Sequence, residues 1–289
     1  MKKEKDHNEQ VPSNSGLEEL SDLTIPWRKP KEEIWSALEA RIDKDKEAPV
    51  IPLYHYRKIM TLAASLLLVL TLGSVVWFYT TNIQTTPGNR FLATLPDGSQ
   101  VTLNAGSSLT YRPLLWPVLR KINFEGEGYF DIARGSRFEV YSAKGTTTIH
   151  GTSFNIYSRE DQYTVTCISG EVQVENAQGD RVILHADEKA VYSAGQNLVK
   201  QVQVNTSVDL AWLENKFIFT AAPLEDVMKE IERQYAVQIE LTSIPQGLIY
   251  TGNFSAEKTV EETLDLVCTP FGLKFATTKA GSYQISNND

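Results

Sequence analysis

Histidine and cysteine are scarce in this chain, with four of the first and two of the second among 289 residues. His7, His55, His150 and His185 stand apart, and neither a cysteine pair nor a His-x-x-x-His spacing occurs, so the sequence presents no metal-ligand set. A glycine-rich phosphate loop is missing as well, and nothing implies a cofactor. Positive charge is in deficit: 28 Lys and Arg stand against 36 Asp and Glu, a net charge of −8. Without a basic face the chain lacks the field that draws proteins to a phosphate backbone, which argues against direct contact with nucleic acid. Cys167 lies in an alternating strand pattern and Cys268 ends an apolar helical stripe. Both read as small core residues whose spacing demands no disulfide.

Long apolar runs are equally rare. The one exception, Ile59 to Tyr79 (IMTLAASLLLVLTLGSVVWFY), contains no charge. As a helix its twenty-one residues reach about 31 Å, enough to cross a hydrocarbon core of about 30 Å. Arg57 and Lys58 abut its first end, while the far side has no Lys or Arg until Arg90, so the charge bias places the N-terminus in the cytoplasm. Tyr54, Tyr56, Trp77 and Tyr79 suit the two interfacial belts. The run starts too late and is too long for a cleaved signal peptide.

The span leaves residues 1–58 inside, with 11 basic and 12 acidic side chains, and 80–289 outside, with 17 and 24. Residues 1–16 are polar and read as disordered. Leu17, Leu20 and Leu23 suggest a short helix ending before Ile25-Pro26-Trp27. A second helix opens near Pro30, with Glu32 and Glu33 placed to complement its dipole. There Ile34, Leu38 and Ile42 recur every four residues, Trp35 widens the stripe, and Glu39, Arg41 and Asp43 face away. So short a segment cannot bury a full core, so the stripe is expected to wait for a partner, with Trp27 as a second anchor. A self-contained helical hairpin is the plainer alternative.

Beyond the span the fold class reads as multi-domain. Thr80 to Asn89 is an uncharged tether. From Arg90 to Gln203 the period is two, with many short strands between turns such as Pro96-Asp97-Gly98, which points to an all-β sandwich, barrel or β-helix over residues 90–204. From Lys216 the order changes to strand, helix, strand, twice over. One helix carries Leu224, Val227, Met228, Ile231 and Tyr235, and the other opens on the capping-box pair Thr259 and Glu262 and ends at Thr269-Pro270. This is a small α+β domain over residues 216–289, and the two outer units are expected to pack independently and to meet near residues 205–216.

Catalytic chemistry is thin. Glu125, Glu127 and Asp131 cluster, but carboxylates at strand ends are common, and the chain does not read as an enzyme. In His150-Gly151-Thr152 a hydroxyl lies beside a peptide carbonyl, where attack would cut the chain between Gly151 and Thr152 with His150 as base. A glycine turn entering a strand explains the same residues.

Several spaced motifs now coincide: Leu95-Pro96-Asp97-Gly98-Ser99, Val101-Thr102-Leu103-Asn104-Ala105-Gly106-Ser107, Gly126-Glu127-Gly128-Tyr129-Phe130, Gly151-Thr152-Ser153-Phe154-Asn155, and Ala211-Trp212 followed by Phe217-Ile218-Phe219 and Pro223-Leu224. Together they resemble the signatures of FecR-type membrane-bound anti-sigma regulators, and the last domain is similar to the short secretin and TonB N-terminal domain that closes the Bacteroidetes members. The turn Leu184-His185-Ala186-Asp187-Glu188 departs from the family's Pro-Gly. The resemblance implies an inner-membrane protein that holds an extracytoplasmic-function sigma factor inside and outside reads the signalling domain of an outer-membrane TonB-dependent transducer, of the kind serving iron or glycan uptake. Some relatives are cut at a Gly-Thr bond like Gly151-Thr152. The competing class is a structural envelope module that binds glycan or a secretin.

Overall fold

A computed structural model describes residues 29–45, 53–193 and 195–287. The chain divides into two compact units, Met1–Leu66 and Leu67–Asp289. In the first, α1 (Lys31–Asp45) starts directly after Pro30, whose carbonyl accepts from the Glu33 and Ile34 N–H groups at 3.0 and 3.3 Å. Glu32 and Glu33 occupy its first turn, where a helix end favours negative charge. Trp27 and the leucines before it lie outside the described residues.

The long helix α2 (Leu53–Phe78) contains the apolar run, and its segment Tyr56–Phe78 is long and apolar enough to cross a membrane, with none of it buried by protein. Its polar side chains are satisfied internally. Thr61, Ser65, Thr71 and Ser74 each donate to a carbonyl one turn back, at 2.7–2.9 Å, so no hydroxyl would face lipid without a partner. The helix stops at Phe78, and Tyr79 lies just beyond it, donating its N–H to Val75.

Four residues of the stretch Thr80 to Asn89, expected to be an uncharged tether, instead form the first strand. In chain order the β region holds β1 (Thr81–Gln84), β2 (Phe91–Thr94), β3 (Gln100–Leu103), β4 (Ser108–Tyr111), β5 (Arg120–Asp131), β6 (Phe138–Ser142), β7 (Gly145–Ile149), β8 (Ser153–Arg159), β9 (Gln162–Ser169), β10 (Glu171–Asn176), β11 (Arg181–His185), β12 (Glu188–Ser193) and β13 (Val199–Gln201). Two layers run β1-β4-β5-β6-β7-β10-β11 and β2-β3-β5-β8-β9-β12-β13, sharing β5. Every pair is antiparallel except β5 with β6. Thus, of the three β architectures open to the sequence, the sandwich is the one found.

Strand β5 changes layers at Gly126. Its first half pairs with β4 and β6, its second with β3 and β8. Gly126 sits at φ +109, and a Cβ there would meet Ser107 at 2.4–2.6 Å, so only glycine allows the crossing. Alternation then fills the space between the layers: Phe124 meets Phe130 edge-on at 5.1 Å, Phe130 stacks on Phe154 at 5.0 Å, and the fully buried Tyr163 shares a hydrogen bond with Thr147 at 2.8 Å. Cys167 belongs to this core, and its thiol is free. At the turn between β11 and β12, Asp187 takes the left-handed conformation itself (φ +61), and the Glu188 carboxylate accepts the His185 N–H at 2.7 Å.

The polar link Asn205 to Asp209 is ordered. It forms α3 (Thr206–Leu210), capped by the Asn205 side chain, and leads through a 3-10 turn (Ala211–Glu214) to the last region. There β14 (Lys216–Pro223), α4 (Leu224–Tyr235), β15 (Gln238–Thr242), β16 (Ile249–Ser255), α5 (Val260–Cys268), β17 (Leu273–Lys279) and β18 (Ser282–Asn287) follow in order. Strand β14 pairs with β16, and β18 lies between β15, which it meets in parallel, and β17. Both halves of the Thr259–Glu262 capping box form, at 2.9 and 3.2 Å. Leu224, Val227, Met228 and Ile231 enter a second apolar core with Trp212, Phe254, Leu264 and the free Cys268. Burial pushes both thiols up to about 11, beyond the range of reactive cysteines.

Candidate functional sites

Helix α1 carries a narrow exposed apolar strip; Glu39, one turn after Trp35, and Arg41, two turns after Ile34, border it rather than face away. Trp35, Leu38 and Ile42 are 57%, 45% and 50% exposed, Ile34 is half-buried, and among the described residues nothing covers them.

In the second unit the cleft between the sandwich and the C-terminal region, about 430 Å³ in volume, is lined from both. Two cores exist, but the units do not simply abut near residues 205–216. Helix α4 turns a second, polar face to the sandwich, burying Glu230 and Gln234. Gln234 donates to Glu230 at 2.7 Å and to the Asn104 side-chain Oδ1 at 3.1 Å; Asn104 in turn donates through its side-chain amide to Glu127 at 2.8 Å. Asn155 donates to the other Glu127 oxygen at 3.4 Å and accepts from the Trp212 indole N–H at 3.3 Å. Arg90 closes the seam, donating to Asn215 at 2.7 Å with its guanidinium 5.6 Å from the Trp212 ring. Arg233 bridges Glu230 at 2.7 Å and Glu160 at 3.1 Å.

The carboxylate cluster noted in the sequence is thereby split. Glu125 and Asp131 face outward, and Glu127 instead answers Glu230 of the C-terminal region. Burial pushes the Glu127 carboxyl up to about 7, the Glu230 charge adds to the rise, and Arg159 and the two asparagines oppose it. The sign of the consequence is fixed. Below about pH 4.5 this group is protonated in both the folded and the unfolded chain. Between about 4.5 and about 7 the folded chain keeps a proton that the unfolded chain releases, so stability falls as pH rises, and above that range it is flat. The effect is at most about 3 kcal/mol. The thermal midpoint of the full-length protein, followed from about pH 5 to about pH 8, should fall. In Glu127→Gln that portion of the slope should be lost.

The Gly151-Thr152 bond sits in an unusual setting. Gly151 has φ +140, and a Cβ there would come within 2.6 Å of the Arg134 backbone. Thr152 is buried, and its hydroxyl has no hydrogen-bond partner. His150 does not join it: its side chain is exposed and makes no hydrogen bond to that hydroxyl. Among the described residues no group of three His, Cys, Asp or Glu could hold a metal ion.

Two family models match this architecture. One, described as FecR protein, covers residues 81–173, and the other, FecR, C-terminal, covers 216–285. Together they take in more than half of the chain. The chain belongs to the FecR family. No curated protein matches it. Two crystal structures of a protein from Parabacteroides distasonis ATCC 8503, described provisionally as an anti-sigma factor, share the fold. They are 22% and 23% identical, with TM-scores of 0.67 and 0.66, and cover 73% and 72% of this chain and 100% of their own. In this FecR-type protein the seam residues Asn104, Glu127, Asn155 and Trp212 all fall within motifs that carried the resemblance. Arg90, Glu230, Arg233 and Gln234 were not singled out. A charged or amide residue on the polar side of an amphipathic helix reads as solvated until a second domain is known to cover it.

Proposed function

We propose that this FecR-family chain is a single-pass regulator of the inner membrane that binds an extracytoplasmic-function sigma factor through the α1 face on the cytoplasmic side. Its outer unit receives the signal of a TonB-dependent transducer. The observation that carries the reading is the uncovered stripe of Trp35, Leu38 and Ile42, preceding the apolar helix, whereas the FecR-type region follows that helix. The Arg57-Lys58 flank supports a cytoplasmic N-terminus. Full-length protein purified from its own cells should bring down a sigma subunit, and a chain lacking residues 1–58 should not; capture by both would refute the assignment.

Cleavage between Gly151 and Thr152 belongs to the same proposal. The unpartnered hydroxyl attacks the Gly151 carbonyl, the peptide nitrogen leaves with a proton as a free amine, and water hydrolyses the resulting ester. A wild-type fragment beginning at Thr152 is the expected product, detected by mass spectrometry. Its appearance at equal yield in Thr152→Ala would assign the cut to a separate protease.

A further inference from the structure

The loop after β4 carries two apolar side chains out into solvent. It runs Arg112-Pro113-Leu114-Leu115-Trp116-Pro117-Val118-Leu119. Val118 is 79% exposed, more than any large apolar residue of the apolar helix, and Leu114 is 50% exposed. Floppiness does not account for this. Trp116 between them is buried, edge-on to Tyr111 at 5.3 Å and to Phe138 at 5.6 Å, and the Val118 and Leu119 N–H groups both bond the Leu115 carbonyl. The indole is a peg that fixes Leu114 and Val118 on the outer side.

The position of the loop is set by the chain. Thr81, three residues after the last helical residue Phe78, pairs with Tyr111, the residue before the loop. Three residues span at most about 11 Å. The Arg112 guanidinium lies 5.1 Å from the Trp77 ring, in the last turn of α2. An arginine and a tryptophan at that level are the pair an interfacial belt uses.

We infer that the 112–119 loop is a membrane-interface foot, with Leu114 and Val118 dipping into the outer leaflet of the bilayer that α2 crosses and Arg112 at the headgroups. This rests on reading α2 as a span. It commits the exposed pair to lipid, because a helix that enters the bilayer beside them leaves that surface within reach, and long apolar side chains with a flanking cation are what such a boundary accepts. The foot fixes how the sandwich stands on the membrane.

The test uses the full-length protein in vesicles of phosphatidylcholine and phosphatidylglycerol whose acyl chains carry brominated quenchers. An environment-sensitive fluorophore is attached at Val118→Cys, at Leu67→Cys in the middle of α2, or at Ile183→Cys. Ile183 is 48% exposed on β11, at the opposite edge of the first layer from β1, six strand spacings or about 29 Å away. The natural cysteines are buried, and unsubstituted protein gives the labelling background. Quenching at 67 and 118, with none at 183, is the expected result. If 67 is quenched while 118 matches 183, the foot is refuted and the span stands. If 67 is not quenched, the span itself is wrong and the foot falls with it.

Discussion

Trp212→Ala should destabilise the outer unit by roughly 3–5 kcal/mol, the cost of emptying a large, well-packed aromatic site. The ring is 3% exposed and belongs to the C-terminal core, yet its N–H reaches Asn155 of the sandwich and Arg90 lies over its face. Truncation therefore leaves a cavity, strips Asn155 of a donor and frees the guanidinium at once. For a unit of this size that loss corresponds to a drop in thermal midpoint of roughly 6–20 °C. Trp212→Phe keeps most of the packing and loses the hydrogen bond, about 1 kcal/mol, so it should fall near wild type. Hydrogen exchange should rise at α4 in the alanine variant as the seam opens. An alanine variant that melts with wild type would show that the indole is not the wedge between the two cores.

Leu38→Asp should weaken binding of the sigma factor at least tenfold, and Trp35→Ala by a similar factor. Fully burying a leucine is worth about 1.5–3 kcal/mol, and the aspartate additionally places an unpaired charge in an apolar contact. Large aromatic side chains at the centre of an interface commonly carry the largest share of its energy, which makes Trp35 the expected anchor. Ala40 lies on the far side of the helix from the strip, and Ala40→Gln should change little. Titration of the purified partners, with the helicity of α1 checked in each variant, gives the comparison. Equal affinity in Trp35→Ala, Leu38→Asp and wild type would remove the contact from this face.

The local signals of this chain were legible because each had a short-range physical cause. The long apolar helix followed from length and absence of charge, α5 from the Thr259–Glu262 box, and the stripe of α4 from its apolar period. Three things were not legible. Thr81 to Gln84 carries no alternation of strongly apolar residues, so only its pairing with β4 makes it a strand. The choice of a sandwich depended on Gly126, whose left-handed φ lets one strand serve both layers, and a glycine alone does not announce that. The seam could not be read because its members pair across the sequence: Glu127 looks like a neighbour of Glu125, yet the fold joins it to Asn104, Asn155 and the Glu230 region of α4.

The central claim, contact between α1 and a sigma factor in the cell, is tested most directly by photo-cross-linking. A photoreactive phenylalanine derivative at position 35 of the full-length protein should, on irradiation of intact cells, yield a covalent adduct with a sigma subunit, and the same group at position 40, well around the helix from the strip, should yield far less. An adduct from position 40 with none from position 35, or no sigma adduct from either at normal expression, would contradict the account.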